Sequence, residues 1–371
     1  MPLKVYLDNN ATTPLDPEIS EFIIQKLPSL NGNPSSSHSF GRSVRVLISQ
    51  ARDSAAAFLR VNPRELIFTS GGTEGVNMGI RGLVGSKKSG HIITSAAEHS
   101  CVISCCKFLE SSGFTVTYLN PGPWGAVTPE AVHAAIQPDT CLITLMAANN
   151  ETGVKTDIEA IAAIAEVHSI PFFVDGVALL GKEPFTIPRG VSAMAFSGHK
   201  IHALQGVGLL FVRLGLKLTP LIIGGEQEFG RRAGTENVLG IISLGKALEI
   251  LLKNLPETSA EILRLRNLFE GKLKKHIPNL LVNGDGPRIS NVSNLAFPGI
   301  DGETLLMNLD RAGLAASHGS ACSSGALEPS RILLSMNLPV ERVNSSIRFS
   351  LSRLTTEADI ETACKIIARS L

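Results

Sequence analysis

Short apolar runs and helix-compatible stretches alternate along most of this chain. Leu66-Ile67-Phe68-Thr69 reads as a strand, closes on Ser-Gly-Gly and leads into a helical segment. His91-Ile92-Ile93-Thr94-Ser95 is the next strand, followed by a helix from near Ser100, and then by strands at 114–118 and 141–146. After an alanine-rich helical stretch at 158–168 comes Pro171-Phe172-Phe173-Val174-Asp175. Its near-continuous apolar character predicts a strand buried on both faces, as in a parallel sheet. Ala193–Ser197 and Gly208–Val212 complete the set. Strand–helix alternation of this kind predicts an α/β domain with a mostly parallel sheet.

The pattern changes after about residue 240. Residues 241–255 and 259–277 read as long amphipathic helices, and Asn291-Val292-Ser293-Asn294-Leu295-Ala296-Phe297 alternates like a half-buried strand. A glycine- and serine-rich stretch at 317–325 precedes Ile347-Arg348-Phe349-Ser350-Leu351 and a final helix. This part predicts a smaller α+β domain. The expected division is a large α/β domain over 15–250 and a small domain built from 1–14 and 251–371, the first dozen residues packing with the C-terminal part.

Composition removes several classes of function. A chain of 371 residues buries about three quarters of its unfolded surface, ample for a large core. Thirty-four basic against thirty-three acidic residues argue against a nucleic-acid groove or a polybasic membrane surface. Charged residues make up 18% of the chain and mean hydropathy is positive, which excludes a disordered chain. No apolar run reaches the roughly 18 residues of a membrane span, and the N-terminus lacks a signal peptide's apolar core, so a cytoplasmic location is expected. Six cysteines are too few for a disulfide scaffold and lack zinc-site spacing, so no metal site of its own is expected. Cys101, Cys105 and Cys106 read as buried free thiols in a helix.

In parallel α/β sheets ligands bind beyond the carboxyl ends of the strands, so the polar residues that end them are the candidates. Ser70-Gly71-Gly72-Thr73-Glu74 follows a strand and opens a helix, where backbone amides and the helix dipole suit a phosphate. It lacks the Gly-x-Gly-x-x-Gly fingerprint and a Walker lysine, which disfavours dinucleotides and ATP. Asp175 ends a buried strand and reads either as a helix cap or as the partner of a cation or donor. Phe196-Ser197-Gly198-His199-Lys200 ends another strand with a lysine. A desolvated lysine there suits imine formation. An aspartate, a lysine and a phosphate turn are together what pyridoxal phosphate needs.

Ordered blocks carry a resemblance that runs essentially end to end. They are Tyr6-Leu7-Asp8-Asn9-Asn10-Ala11-Thr12-Thr13-Pro14, Gly32-Asn33-Pro34-Ser35-Ser36, Phe68-Thr69-Ser70-Gly71-Gly72-Thr73-Glu74 and Glu98-His99. Ala148-Asn149-Asn150-Glu151-Thr152-Gly153, Ser197-Gly198-His199-Lys200 and Arg231-Arg232-Ala233-Gly234-Thr235-Glu236-Asn237 continue it. Gly319-Ser320-Ala321-Cys322-Ser323-Ser324-Gly325, Leu327-Glu328-Pro329-Ser330 and Ile347-Arg348-Phe349-Ser350 complete it. The chain closely resembles the NifS/IscS-type cysteine desulfurases, in the class V aminotransferase group of fold-type I pyridoxal-phosphate enzymes.

The resemblance implies that Lys200 bonds the cofactor as an imine, Asp175 pairs with its pyridine nitrogen and His99 stacks on its ring. Gly72, Thr73, Ser197 and His199 would hold the phosphate, with Thr235 reaching in from the second subunit of a homodimer. Asn149 and Arg348 would bind the substrate carboxylate, for which a guanidinium fork is suited. His99 also reads as a helix-start cap, and Asn149 or Asn150 as a turn residue. Asn10, Asn33, His38 and Glu236 lie in matching blocks without an assigned role.

Cys322 sits in a Gly/Ser/Ala loop of the longer, NifS/IscS kind. An ordinary cysteine is only about 3% thiolate at pH 7, so activation is expected when the loop meets a positive site. The implied reaction releases alanine from L-cysteine, leaves a persulfide on Cys322 and passes the sulfur to an acceptor. The expected partners are L-cysteine, a second copy of the chain, and a sulfur acceptor or iron–sulfur scaffold whose cluster the persulfide would contact. The service implied is iron–sulfur cluster or thiolated-nucleotide assembly. Selenocysteine lyase, with a similar framework, is the near rival.

Two positions depart from the family. Ala178 stands where a glutamine usually donates to the cofactor's phenolic oxygen, which also motivates a rival reading as a catalytically weakened sulfur-relay scaffold. His318 replaces a usual serine and either stabilises a thiolate or does nothing. IscS-type members use a C-terminal tail to dock the scaffold; with Leu371 as the last residue, a different docking mode or acceptor is expected.

Overall fold

The structure is a computed structural model that describes residues 5–319 and 329–371. Twelve strands are described: β1 (Val5–Tyr6), β2 (Leu66–Thr69), β3 (Gly90–Ser95), β4 (Phe114–Leu119), β5 (Thr140–Met146) and β6 (Phe172–Asp175), then β7 (Ala193–Ser197), β8 (Gly208–Val212), β9 (Leu281–Val282), β10 (Val292–Ala296), β11 (Leu314–Ala315) and β12 (Ser346–Ser350). Seven form one sheet in the order β2-β8-β7-β6-β5-β3-β4. β8 runs antiparallel to both of its neighbours, and every other pairing in the sheet is parallel.

The two faces of this sheet bury separate apolar clusters. Phe172 and Val174 of β6 point into one, Phe173 into the other, which is why β6 reads as a nearly unbroken apolar run. The helix Gly72–Val84 lies on the Phe173 face. A Cβ on Gly75 would sit 3.0 Å from that of Ala195, and one on Gly79 only 2.2 Å from the Phe173 ring. Two glycines one turn apart thus let the helix backbone rest on β6 and β7. Gly79→Ala should destabilise the protein by about 1–3 kcal/mol through overpacking, outweighing the helix-propensity gain of up to about 1 kcal/mol. A lower urea midpoint is the expected reading, and an unchanged one would refute this account of the packing.

β9, β10 and β12 form a separate antiparallel sheet, and β1 pairs in parallel with β11. Val5 and Leu7 join Phe269, Leu295, Phe349 and Ile360 in a third apolar cluster. The pattern read as helices over 241–255 and 259–277 is one helix, Val238–His276, interrupted at Asn254, whose backbone is not helical, just ahead of Pro256. Proline lacks the N–H that the preceding turn would accept, so the break falls there. Residues through Leu255 pack on the large sheet, and those from Ile262 on pack in the third cluster.

β10 differs from the half-buried strand expected, being buried along its whole length. Its polar side chains are satisfied inside: Ser293 Oγ donates to Glu270 at 2.8 Å, and Asn294 Oδ1 accepts from Asn283 at 2.7 Å. Among the described residues no helix is long and apolar enough to cross a membrane.

Candidate active site

The carboxyl ends of β2, β5, β6 and β7 converge on a cavity of about 210 Å³. The helix after β2 starts at Gly72 with Gly71 as its cap, and among the described residues no side chain caps its first amides. Gly72 and Thr73 line the cavity, so these uncapped N–H groups and the positive end of the helix dipole face it. Gly72 has no room for a side chain, since a Cβ would lie 2.7 Å from Val177.

Asp175, the last residue of β6, lies in the cavity wall, and its Oδ1 accepts the Val177 N–H at 3.0 Å. Burial pushes its carboxyl above the usual range, against the pull of His99 and Lys200. A cation or a donor arriving in the cavity would reverse that cost. His99 caps the helix Ser100–Ser111: its Nδ1 accepts the Cys101 N–H at 3.2 Å, with Cys101 Sγ at 3.0 Å. The cap and a cavity-facing role therefore coexist. An Nδ1 that accepts leaves Nε2 to carry the proton of the neutral ring, and burial lowers the His99 pKa despite Asp175.

Past β7, Ser197, His199 and Lys200 line the same cavity. Lys200 Nζ donates to the carbonyls of Asn10 at 2.5 Å and Ala11 at 2.8 Å. His199 Nδ1 meets Thr12 Oγ1 at 3.1 Å, and burial together with Lys200 lowers its pKa to about 4. Arg348 reaches the cavity from β12. Its guanidinium donates to Asp8 Oδ1 at 2.8 Å and to the Asn150 carbonyl at 3.2 Å, while its buried Nε has no partner among the described residues.

Two of the expected residues lie elsewhere. Asn149 does not line the cavity. Its Oδ1 accepts the N–H groups of Glu151 and Thr152, and its Nδ2 donates to the Ala97 carbonyl, so its amide closes the turn after β5. The cavity is lined instead by Asn150, whose buried Oδ1 lacks a partner among the described residues. Thr235 lies on a different, smaller cleft with Ser70, Gly206 and Arg232. Cys322 falls outside the described residues.

His318 is described: its Nδ1 donates to the Ser346 carbonyl at 2.7 Å, tying the ring to β12. Next to it Ser317 exchanges backbone hydrogen bonds with Arg348 and donates its hydroxyl to Asp8 at 3.0 Å. Beyond the Cys322 segment, Ser330 donates to Glu151 at 2.5 Å and Arg331 donates to the carbonyls of Ala96 and Glu98.

Sequence reasoning gave no catalytic or binding role to Asp8, Asn10, Asn150 or Lys182. Asp8 and Asn10 stood in the N-terminal motif block, which was the available signal. Lys182, in Leu180-Gly181-Lys182-Glu183, reads like a surface charge pair, yet it is buried and lines the cavity.

The model of the aminotransferase class-V family matches residues 5–362. A cysteine desulfurase of Trichormus azollae is 45% identical over 366 residues, 98% of this chain and 92% of that one. The cysteine desulfurase IscS of Dictyoglomus turgidum is 42% identical over 373 residues, covering 100% of this chain and 95% of that one. Among solved structures, a NifS-like protein superposes with a TM-score of 0.91 at 32% identity, covering 99% of both chains. This chain belongs to the class-V aminotransferase family, among the NifS/IscS-type cysteine desulfurases. Its fold is that of the fold-type I enzymes of this family.

The residues of this desulfurase cavity fit pyridoxal phosphate. An uncapped helix start suits a phosphate, a buried carboxylate suits a protonated ring nitrogen, and a lysine anchored beside both suits an imine. Ala178, in the wall next to Val177, packs its methyl on the large-sheet core and brings no donor. Ala178→Gln should restore a donor to the cofactor's phenolic oxygen and favour its anionic form. The visible absorption of the loaded enzyme should then change at lower pH; an unaltered titration would count against any role for this position.

Proposed function

We propose that this enzyme binds pyridoxal phosphate and converts L-cysteine to L-alanine, passing the sulfur through a Cys322 persulfide to an acceptor protein. The observation that carries the reading is the single cavity uniting Lys200, Asp175, His99, Arg348 and an uncapped helix N-terminus. Gly72, Thr73, Ser197 and His199 would hold the phosphate, Asp175 the ring nitrogen and Lys200 the carbonyl carbon. Thr235, exposed on its own cleft, would complete the phosphate site of a second copy in a homodimer. Bound there, the cofactor supplies the electron sink for a negative charge at the substrate Cα.

The protein's own groups then have distinct tasks. Arg348 Nε, desolvated and unpartnered among the described residues, would offer a charge-assisted hydrogen bond to the substrate carboxylate. Asp8 and Asn150 fix the rest of its guanidinium. Lys200 Nζ, once released from the cofactor, is the base for the Cα proton. His99, with Nδ1 committed to its helix cap, uses Nε2 to exchange a proton near the substrate sulfur. The Cys322 thiolate attacks that sulfur; the S–S bond forms as the C–S bond breaks, and the carbon takes the electron pair and a proton to become alanine. Iron–sulfur or thiolated-nucleotide assembly in the cytoplasm would consume the persulfide.

Cysteine is favoured over selenocysteine as substrate because the similar curated proteins are named for cysteine. Purified enzyme given pyridoxal phosphate and a reductant should release sulfide and alanine in equal amounts from L-cysteine. Borohydride reduction followed by peptide mapping should place the cofactor on Lys200. No alanine from either L-cysteine or L-selenocysteine would end the enzyme reading. Turnover confined to L-selenocysteine would replace it with the lyase.

A further inference from the structure

Lys182 stands beneath the cavity with no task in the reaction above. The turn that follows β6 doubles back at Gly181, whose φ of +70° lies in the left-handed region. A Cβ there would be 2.7 Å from Ile201 and 2.9 Å from Leu251, so only glycine lets the turn press against the residue after Lys200. Lys182 is thereby fixed at both backbone ends: its N–H donates to the Leu179 carbonyl, and its own carbonyl accepts from Ser290 Oγ at 2.8 Å. The side chain, 4% exposed, donates from Nζ to the carbonyl of Lys200 at 2.9 Å.

The charges around Lys182 do not neutralise it. Lys200 and Arg353 face it as cations, and His202 faces it as a neutral ring whose pKa is lowered to about 3 by burial first, then by Lys182 and Arg353. The nearby carboxylate, Asp16, is committed to Arg353 and to the first amides of the helix Pro17–Lys26. Among the described residues no carboxylate forms an ion pair with Lys182. Burial, with Lys200 and Arg353, brings its pKa down to about 7.

We propose that Lys182 is a positioning residue for Lys200: it anchors the peptide that carries Lys200 and places a second positive charge behind its amine, making that amine a stronger nucleophile near neutral pH. The physical basis is mutual repulsion, since a neighbouring cation in a desolvated site disfavours the protonated amine. The inference rests on Lys200 being the cofactor-bearing lysine, and the borohydride mapping described above tests that separately.

The experiment is competitive acylation of the cofactor-free full-length enzyme with trace acetic anhydride, scored on the Lys200 peptide by mass spectrometry against exposed Lys253. At about pH 6, where Lys182 is charged, Lys200 should react about tenfold faster in wild type than in Lys182→Met. Near pH 9, where Lys182 is neutral, the two rates should converge. A ratio that stays constant across this range marks a purely structural lysine and overturns the proposal. Lys182→Arg provides a second arm that does not depend on folding of the methionine variant. Its permanent charge should keep Lys200 at least as reactive as in wild type at both pH values, and a Lys200 less reactive than in wild type at both would overturn the proposal. Cofactor found on another lysine overturns the parent assignment, whereas flat labelling ratios with cofactor on Lys200 overturn this inference alone.

Discussion

Lys200→Ala should lower alanine formation from L-cysteine by about 10⁴-fold or more, because one side chain is asked for two jobs. On the proposed reading it would form the covalent link to the cofactor, and its amine would be the base for the Cα proton, a role that by itself contributes about 10²–10⁴. The geometry narrows what else can change. Lys200 Nζ donates to the Asn10 and Ala11 carbonyls, so alanine leaves two acceptors short of a donor at a cost of about 1–3 kcal/mol. The helix start at Gly72 and Thr73, proposed to hold the phosphate, and the Asp175 carboxylate remain in place. The variant should therefore retain cofactor without attachment, shown by its complete removal on denaturation. A small primary amine in the buffer should restore part of the proton transfer. Activity within tenfold of wild type would remove Lys200 from the mechanism.

Cys322→Ala should show the complementary loss. Sulfide release from L-cysteine should fall by about 10³-fold or more, since no other described thiol is placed to accept the sulfur. Cys105, Cys106 and Cys141 are buried in the core, and Cys101, beside His99 in the cavity wall, has its thiol pKa driven far up by burial. A thiol kept protonated is a poor nucleophile. The proposed mechanism assigns binding and the early proton transfer to Lys200, His99 and Arg348, so the spectral change on adding L-cysteine should survive in this variant. Loss of that change together with turnover would mean that Cys322 serves the cavity itself. Full turnover would mean that another nucleophile takes the sulfur.

The sheet was legible because its central strands are buried on both faces. Phe172-Phe173-Val174 and Ala193–Ser197 have few readings other than interior strands, and their polar terminal residues, Asp175 and Ser197 through Lys200, stand out against the apolar run. The antiparallel direction of β8 left no trace, since a buried strand looks the same either way. β10 misled because Asn291 and Ser293 on either side of Val292 mimic a solvent-facing alternation, when the hydrogen bonds of Ser293 and Asn294 are in fact met inside by Glu270 and Asn283. Asn149 and Asn150 show a limit of motif reading. Adjacent asparagines are chemically identical, and only the turn geometry decides which amide closes the backbone and which lines the cavity. Lys182 was invisible for the opposite reason: nothing in a Gly-Lys-Glu sequence distinguishes a lysine turned inward by a left-handed glycine from one in water.

The N-terminal segment that binds Lys200 also has a consequence for biosynthesis. Asn10 N–H donates to Ser350 Oγ, a partner 340 positions away, and Asn9 is bonded to the same residue's carbonyl. All seven strands of the large sheet precede Gly215, so that layer has its full complement while the rest of the chain is still being translated. At about 5–20 residues per second, the interval until β12 leaves the ribosome is on the order of ten seconds. During that interval the nascent chain has Lys200, Asp175 and the helix start, but neither Arg348 nor the β12 contacts that hold Asn9 and Asn10. Completion of the cavity, and with it any capture of the proposed cofactor, is thus set to be one of the last events in making the molecule.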